Sequence, residues 1–300
     1  MPLLSEKIIQ EFTDHLKYQK RYSQHTIISY QTDLEDFALF ITTKYGETSL
    51  TGLSATIIRT WLAKLKQNKI SSRSINRKIS TLKSFFRYQL RTGKITVSPM
   101  TIIQSLKVSK RLPSFIEQKD LNTLFRNVEF PDTWEGRLEE LILKIFYNTG
   151  IRLSELINLK EINIDKSNGN IKVMGKGSKE RLIPVNKQLL TDIENYIAAK
   201  RKCFGETAKV YVLVSGKGKK LYARYVYNAV KKYLNLVSTN DKKSPHILRH
   251  SFATHLTNNG ADINAIKELL GHSSLAATQV YTSNSIEKLK DIHKKSHPKA

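Results

Sequence analysis

Three features of the sequence predict a mainly α protein of two domains, with one small antiparallel β-sheet in the second. The first third carries apolar residues at helical spacing. A polar, basic segment marked by Gly93, Pro99 and Pro113 follows, and short alternating segments then lie among further helices. The first domain is expected at residues 1–95, a linker at 96–112 and the second domain at 113–300. In the first, Ile8, Ile9, Phe12 and Leu16 define one helix, and Tyr30, Leu34, Phe37 and Phe40 a second. Ser54 is placed to cap a helix over 55–66, and a fourth is predicted over 72–90 with Ile75, Ile79, Leu82, Phe85 and Phe86 toward a core. In the second domain helices are predicted at 117–127, 138–148 and 153–158, then again at 189–200, 223–236, 246–258, 263–270 and 285–293. Between them, residues 162–164, 171–173 and 181–184 alternate like strands, joined by Asn168-Gly169 and by the turn from Gly175 to Lys179.

The 300 residues are 40% hydrophobic, enough for one large core or two ordinary ones. Fifty Lys and Arg against 26 Asp and Glu give a formal charge of +24, which attracts polyanions over long range. Nucleic acid is the expected partner, and an anionic membrane surface the competing one. The charge lies in both halves, with a net of +11 over residues 1–110 and +13 over 111–300, which suits a clamp better than a basic tail on a neutral domain. No run approaches the roughly 18 apolar residues of a membrane span. The N-terminus lacks the basic-then-apolar pattern of a secretion signal. Cys203, the only cysteine, excludes an intrachain disulfide and a multi-cysteine zinc site. A cytoplasmic protein is expected.

Residues 66–94 hold nine basic residues and no acid. Arg73 and Arg77 are one helical turn apart, as are Lys83, Arg87 and Arg91. A solvated helix face is the plain account of such a run. Like charges without a compensating acid repel one another, however, so a phosphate-contacting face is favoured.

Four places in the second domain supply polar groups suited to one anionic ligand. Around Gly150, one helix ends and Arg152 opens the next, near free backbone N–H groups; Glu155 follows three residues later and could hold the hydrogen bonds there. Taken alone, that pair also reads as a salt bridge at a helix start. The glycine-flanked turn carries Lys176, with Lys179 and Arg181 beside it; it lacks the spacing of a P-loop, and alone it reads as a basic surface hairpin. His246, Arg249 and His250 lie three and four apart on one side of a helix that Pro245 opens. The arginine between the histidines and the lack of a nearby carboxylate argue for an oxyanion rather than a metal. Last, Gly271 ends a helix just before His272, and Tyr281 follows nine residues on. Most of the 13 tyrosines must be structural, but a tyrosine nucleophile needs positive neighbours and a base, and this set provides both. A phosphodiester in transfer gains charge that fixed guanidinium and imidazole groups stabilise.

Arg152, Lys176, the His246-Ile247-Leu248-Arg249-His250 box, Leu269-Gly271-His272 and Tyr281 stand in the order and spacing of the tyrosine recombinase (phage-integrase-type) family, which the chain resembles over nearly its whole length. The stretch from Ser23 to Leu34 and the closing His297-Pro298-Lys299-Ala300 are similar to the Xer-type, chromosome-resolving members. The resemblance implies a SAM-like helical DNA-binding domain followed by a catalytic domain. It implies that Arg152 and Arg249 clamp the scissile phosphate with His272, that Lys176 protonates the departing 5′ oxygen and that His246 assists proton transfer at Tyr281. Tyr281 would attack to leave a 3′-phosphotyrosine, with Glu155 and His250 in supporting roles. No cofactor and no metal are implied.

The expected partner is double-stranded DNA bearing an inverted-repeat site, bound by a homotetramer or by a heterotetramer with a paralogue, through a Holliday junction. A cell-division DNA translocase is the expected activator. Residues 282–300 resemble a tail that packs into a neighbouring subunit, and their Ile286, Leu289 and Ile292 stripe suits burial in a partner or in their own domain. The recombinase of a mobile or invertible element, and a non-catalytic architectural DNA-binding protein, are the competing readings.

Overall fold

The computed structural model describes residues 6–108, 114–175, 180–205 and 210–271. The chain divides into two compact units, residues 1–110 and 111–300, and each has its own apolar core.

The first unit is helical throughout its regular structure. Helix α1 (Glu6–Asp14) runs into a π-helical turn over His15–Gln19, and α2 (Gln24–Tyr45), α3 (Ala55–Gln67) and α4 (Ser72–Arg91) follow. Ser23, Ser54 and Ser71 cap the last three, each accepting from a backbone N–H three residues on. The predicted apolar positions meet in one core: Phe12, Leu34, Phe37, Ile75, Leu82 and Phe86 are all buried. That core also takes in Ile95 and, from the segment expected as a linker, Met100 and Ile103. Asn76 fixes its far end, accepting from the Leu106 N–H at 2.7 Å and donating to the Leu106 carbonyl at 2.9 Å.

The basic run of α4 differs from the expectation of uncompensated charge. Asp33 of α2 is fully buried and accepts from Arg77 (2.5 Å), Lys78 (2.9 Å) and Thr81 (2.8 Å). Lys78 also reaches Asp36, Arg91 lies against His15, and Lys94 pairs with Glu11. The acids missing from the run in sequence come from α1 and α2 in space.

In the second unit α5 (Gln118–Arg126) precedes α6 (Trp134–Thr149), which packs against helices α8 (Lys187–Phe204), α9 (Ala223–Val237) and α10 (Pro245–Asn258). Thr133 caps α6, so that helix starts a turn earlier than its apolar pattern suggests. The short α7 (Leu153–Ile157) leads to the sheet β1 (Ile164–Asp165), β2 (Asn170–Met174) and β3 (Glu180–Pro184), antiparallel in that order. Ile171 pairs with Ile183, and Val173 with Arg181. Ile162 and Asn163, expected to begin the first strand, lie instead in a 3-10 turn over Glu161–Asn163, with Ile162 89% exposed. Two restraints set this turn: Lys160 bridges to Tyr211, and the Glu161 carboxylate pairs with Lys200 and Arg201. Helix α11 (Ile263–Leu270) closes the described chain beside β3. The helix expected at 285–293 lies outside the described residues.

Candidate active site

The site is assembled where three helix ends meet: the C-terminus of α6, the N-terminus of α7 and the C-terminus of α11. Gly150 ends α6 in the left-handed region (φ +58°), and a Cβ there would lie 2.5 Å from the ring of Phe252 on α10. Glycine alone permits both the backbone turn and the close approach of the helices. The freed Gly150 carbonyl accepts from Arg249 at 2.5 Å.

Arg152 then caps α7. Its backbone N–H donates to Glu155 Oε2 at 2.8 Å and its guanidinium to Glu155 Oε1 at 2.7 Å. Thus the helix-start salt bridge exists, and Arg152 remains 30% exposed at its side chain while Glu155 is buried beneath it. Burial works against the Glu155 charge, but hydrogen bonds from Arg181 and Arg152 outweigh it and hold the carboxyl at about 2.

Helix α11 ends on Gly271, again left-handed at φ +62°. Its final carbonyls are among those a helix leaves without internal partners, and they carry the negative end of its dipole. Three successive ones accept from three different arginines: Leu269 from Arg181 (2.8 Å), Leu270 from Arg249 (2.6 Å) and Gly271 from Arg152 (2.8 Å). Because Arg249 and Arg152 hold adjacent carbonyls, their guanidinium groups converge. Arg249 is only 2% exposed.

His246 sits in the first turn of α10 and His250 one turn on, their rings stacked at 5.7 Å. Partial burial of the ring, with Arg249 and Arg152 nearby, lowers the pKa of His246, although the residue as a whole is exposed. Burial, His246, Lys242 and Arg249 bring His250 down to about 4. At neutral pH both imidazoles are therefore uncharged, and an uncharged imidazole can accept a proton.

The structure thus brings together Arg152, Glu155, His246, Arg249 and His250 among the predicted residues. Lys176, Lys179, His272 and Tyr281 lie outside the described residues. Arg181, expected as a DNA contact, points inward: its side chain is 10% exposed and its fork grips both Glu155 oxygens at 2.7 and 2.9 Å. The strand pattern holds the signal for this, because Arg181 shares a face of β3 with the buried Ile183 while Leu182 points out. On α4, Arg73, Arg77, Arg87 and Arg91 are exposed and Lys83 is partly buried. Among the described residues no group of three or more His, Cys, Asp or Glu side chains is placed to hold a metal ion.

Residues 114–288 match the phage integrase family, and residues 9–93 match the phage integrase N-terminal SAM-like domain. The chain belongs to the phage integrase family. Members similar to it include the tyrosine recombinase XerC of Chlorobaculum parvum, 34% identical with 97% of this chain and 94% of that protein covered. The tyrosine recombinase XerC of Thermodesulfovibrio yellowstonii is 36% identical, with 97% and 96% covered. Among solved structures, the XerH site-specific recombinase bound to palindromic difH substrate superposes with a TM-score of 0.77 at 21% identity, over 94% of this chain and 83% of that one. A lambda integrase dimer bound to a COC′ core site gives 0.70 at 19% identity, over 92% and 94%. This phage integrase family member is a tyrosine-type, site-specific DNA recombinase, an enzyme that binds DNA and works through phosphotyrosine chemistry. No helix of the described residues is long and apolar enough to cross a membrane.

Proposed function

We propose that this chain breaks and rejoins DNA with Tyr281 as nucleophile, and that its targets are inverted-repeat sites at which chromosome dimers are resolved. The observation that carries the reading is the convergence of Arg152 and Arg249 on adjacent carbonyls of α11. Two fixed guanidiniums beside uncharged imidazoles suit a phosphodiester that gains negative charge in transfer. The Tyr281 hydroxyl attacks phosphorus, and His246 assists by accepting its proton. The bond from phosphorus to the 5′ oxygen breaks, and Lys176 protonates that oxygen. A 3′-phosphotyrosine and a free 5′ hydroxyl remain, and the ester retains the energy needed for rejoining without ATP. His272 joins the arginines on the nonbridging oxygens.

On this reading four protomers, identical or shared with a paralogue, assemble on two DNA sites in the cytoplasm and pass through a Holliday junction. A cell-division DNA translocase activates them. The Xer name shared by relatives at 34% and 36% identity supports the chromosomal branch. Footprinting on genomic fragments checks it: the account expects protection of an inverted repeat near the replication terminus, and protection only at the ends of a mobile element would assign the protein to that element instead. The chemistry is tested by incubation with a suicide DNA site. A covalent adduct should form with the wild type and be absent from Tyr281→Phe; undiminished trapping in the variant would sink the mechanism.

A further inference from the structure

We propose that Arg181 is a positioning residue for cleavage: it occupies and neutralises Glu155, so that Arg152 keeps its charge and its aim for the scissile phosphate. The inference rests on the reading above, in which Arg152 meets that phosphate.

The carboxylate of Glu155 is shared between two arginines. Oε1 accepts from the Arg152 and Arg181 side chains, both at 2.7 Å, and Oε2 accepts from the Arg152 backbone N–H at 2.8 Å and from Arg181 at 2.9 Å. Arg181 therefore holds the two-pronged geometry that a guanidinium and a carboxylate prefer, and Arg152 has only one prong on the acid. The second prong of Arg152 goes to the Gly271 carbonyl instead. Arg152 lies across the gap between Glu155 and the end of α11, and its side chain is 30% exposed.

Removing the Arg181 fork changes both geometry and charge. Glu155 would then offer both oxygens to the remaining guanidinium, and Arg152 would rotate into the two-pronged pair, leaving Gly271. Its positive charge would be cancelled by a buried carboxylate in a low-dielectric setting, where such pairs interact strongly. Arg181 is itself too enclosed, at 10% side-chain exposure, to serve as a phosphate contact. Its Nε also donates to the Leu269 carbonyl, so the same residue ties β3 to the end of α11, one residue before the carbonyl held by Arg249.

The test is single-turnover cleavage of a suicide DNA site, with DNA affinity and its salt dependence measured alongside. Arg181→Met should slow cleavage by about a hundredfold, the loss typical of removing one aligned charge donor, with affinity within about threefold and an unchanged salt slope. The decisive arm is the pair Arg181→Met/Glu155→Gln. Removing the carboxylate charge frees Arg152, so the double variant should cleave at least about tenfold faster than Arg181→Met alone, a reversal that a merely structural role would not produce. Arg181→Lys, which keeps the charge and loses the fork, should stay within about tenfold of the wild type, and it carries the test if the methionine variant does not fold. A double variant no faster than Arg181→Met, or a hundredfold loss in a DNA-binding Arg181→Lys, would overturn the inference. Absence of any adduct from the wild type would instead sink the reading of the site itself.

Discussion

At the scale of single residues, the fold holds a carboxylate charged and an imidazole uncharged within one small region, and the two respond to acid in different windows. His250 has a folded pKa of about 4 against an ordinary 6.5. The folded state therefore binds fewer protons than the unfolded chain between those values. Its contribution to stability is whole above about pH 6.5 and is lost as the pH falls toward 4. Glu155, held at about 2, keeps its contribution through that window and loses it only below about pH 4.5. Urea unfolding at pH 7, 5.5 and 4 should show stability falling with acid, and His250→Gln should flatten part of that fall. His246 and His255 are shifted the same way and contribute to the fall. An unchanged slope in the variant would contradict the half-buried, uncharged assignment of His250. The sequence marks the candidate site residues by type and spacing, but it does not reveal which partners hold Arg152, Glu155 and Arg249. Spacing places Arg152 and Glu155 one turn apart, whereas the link from Glu155 to Arg181 crosses 26 positions.

At the scale of elements, α4 joins a core face to a basic face. The core face was legible: Ile75, Ile79, Leu82, Phe85 and Phe86 recur at helical spacing and all are buried. The compensation of its charge was not, because Asp33 and Asp36 belong to another helix and only packing brings them to Arg77 and Lys78. Asp33→Asn leaves the Lys78 ammonium, itself 8% exposed at the side chain, without its buried counter-charge. A loss of about 3–5 kcal/mol is expected, read from the denaturation midpoint of the full chain; a change below about 1 kcal/mol would show that Asp36 suffices. The sheet was harder to delimit than the helices. Its first strand spans only Ile164–Asp165, and what holds back its start is the Glu161 pairing with α8, a contact between segments about 40 positions apart. In the segment after residue 95, Pro99 and the polar residues suggest a linker, while Met100 and Ile103, isolated apolar residues without a period, insert into the first core.

At the scale of the whole molecule, +24 of formal charge lies over both units, so binding should be dominated by phosphate neutralisation and weaken steeply with salt. Arg73 and Arg87 lie on the exposed face of α4 about 21 Å apart along its axis. Changing both to Ala should weaken binding to specific and unrelated DNA alike and reduce the salt slope by roughly 2, one for each lost phosphate contact. A slope unchanged by the double substitution would remove α4 from the DNA interface. Charge alone identifies only an attraction to polyanions; the arginines converging at the end of α11 make the second unit suited to chemistry on one phosphate. The most direct test is therefore mass-spectrometric mapping of the adduct trapped on a suicide DNA site. The account predicts a nucleotide joined through its 3′ phosphate to the peptide that carries Tyr281, and an adduct on any other residue, or one joined through a 5′ phosphate, would contradict it.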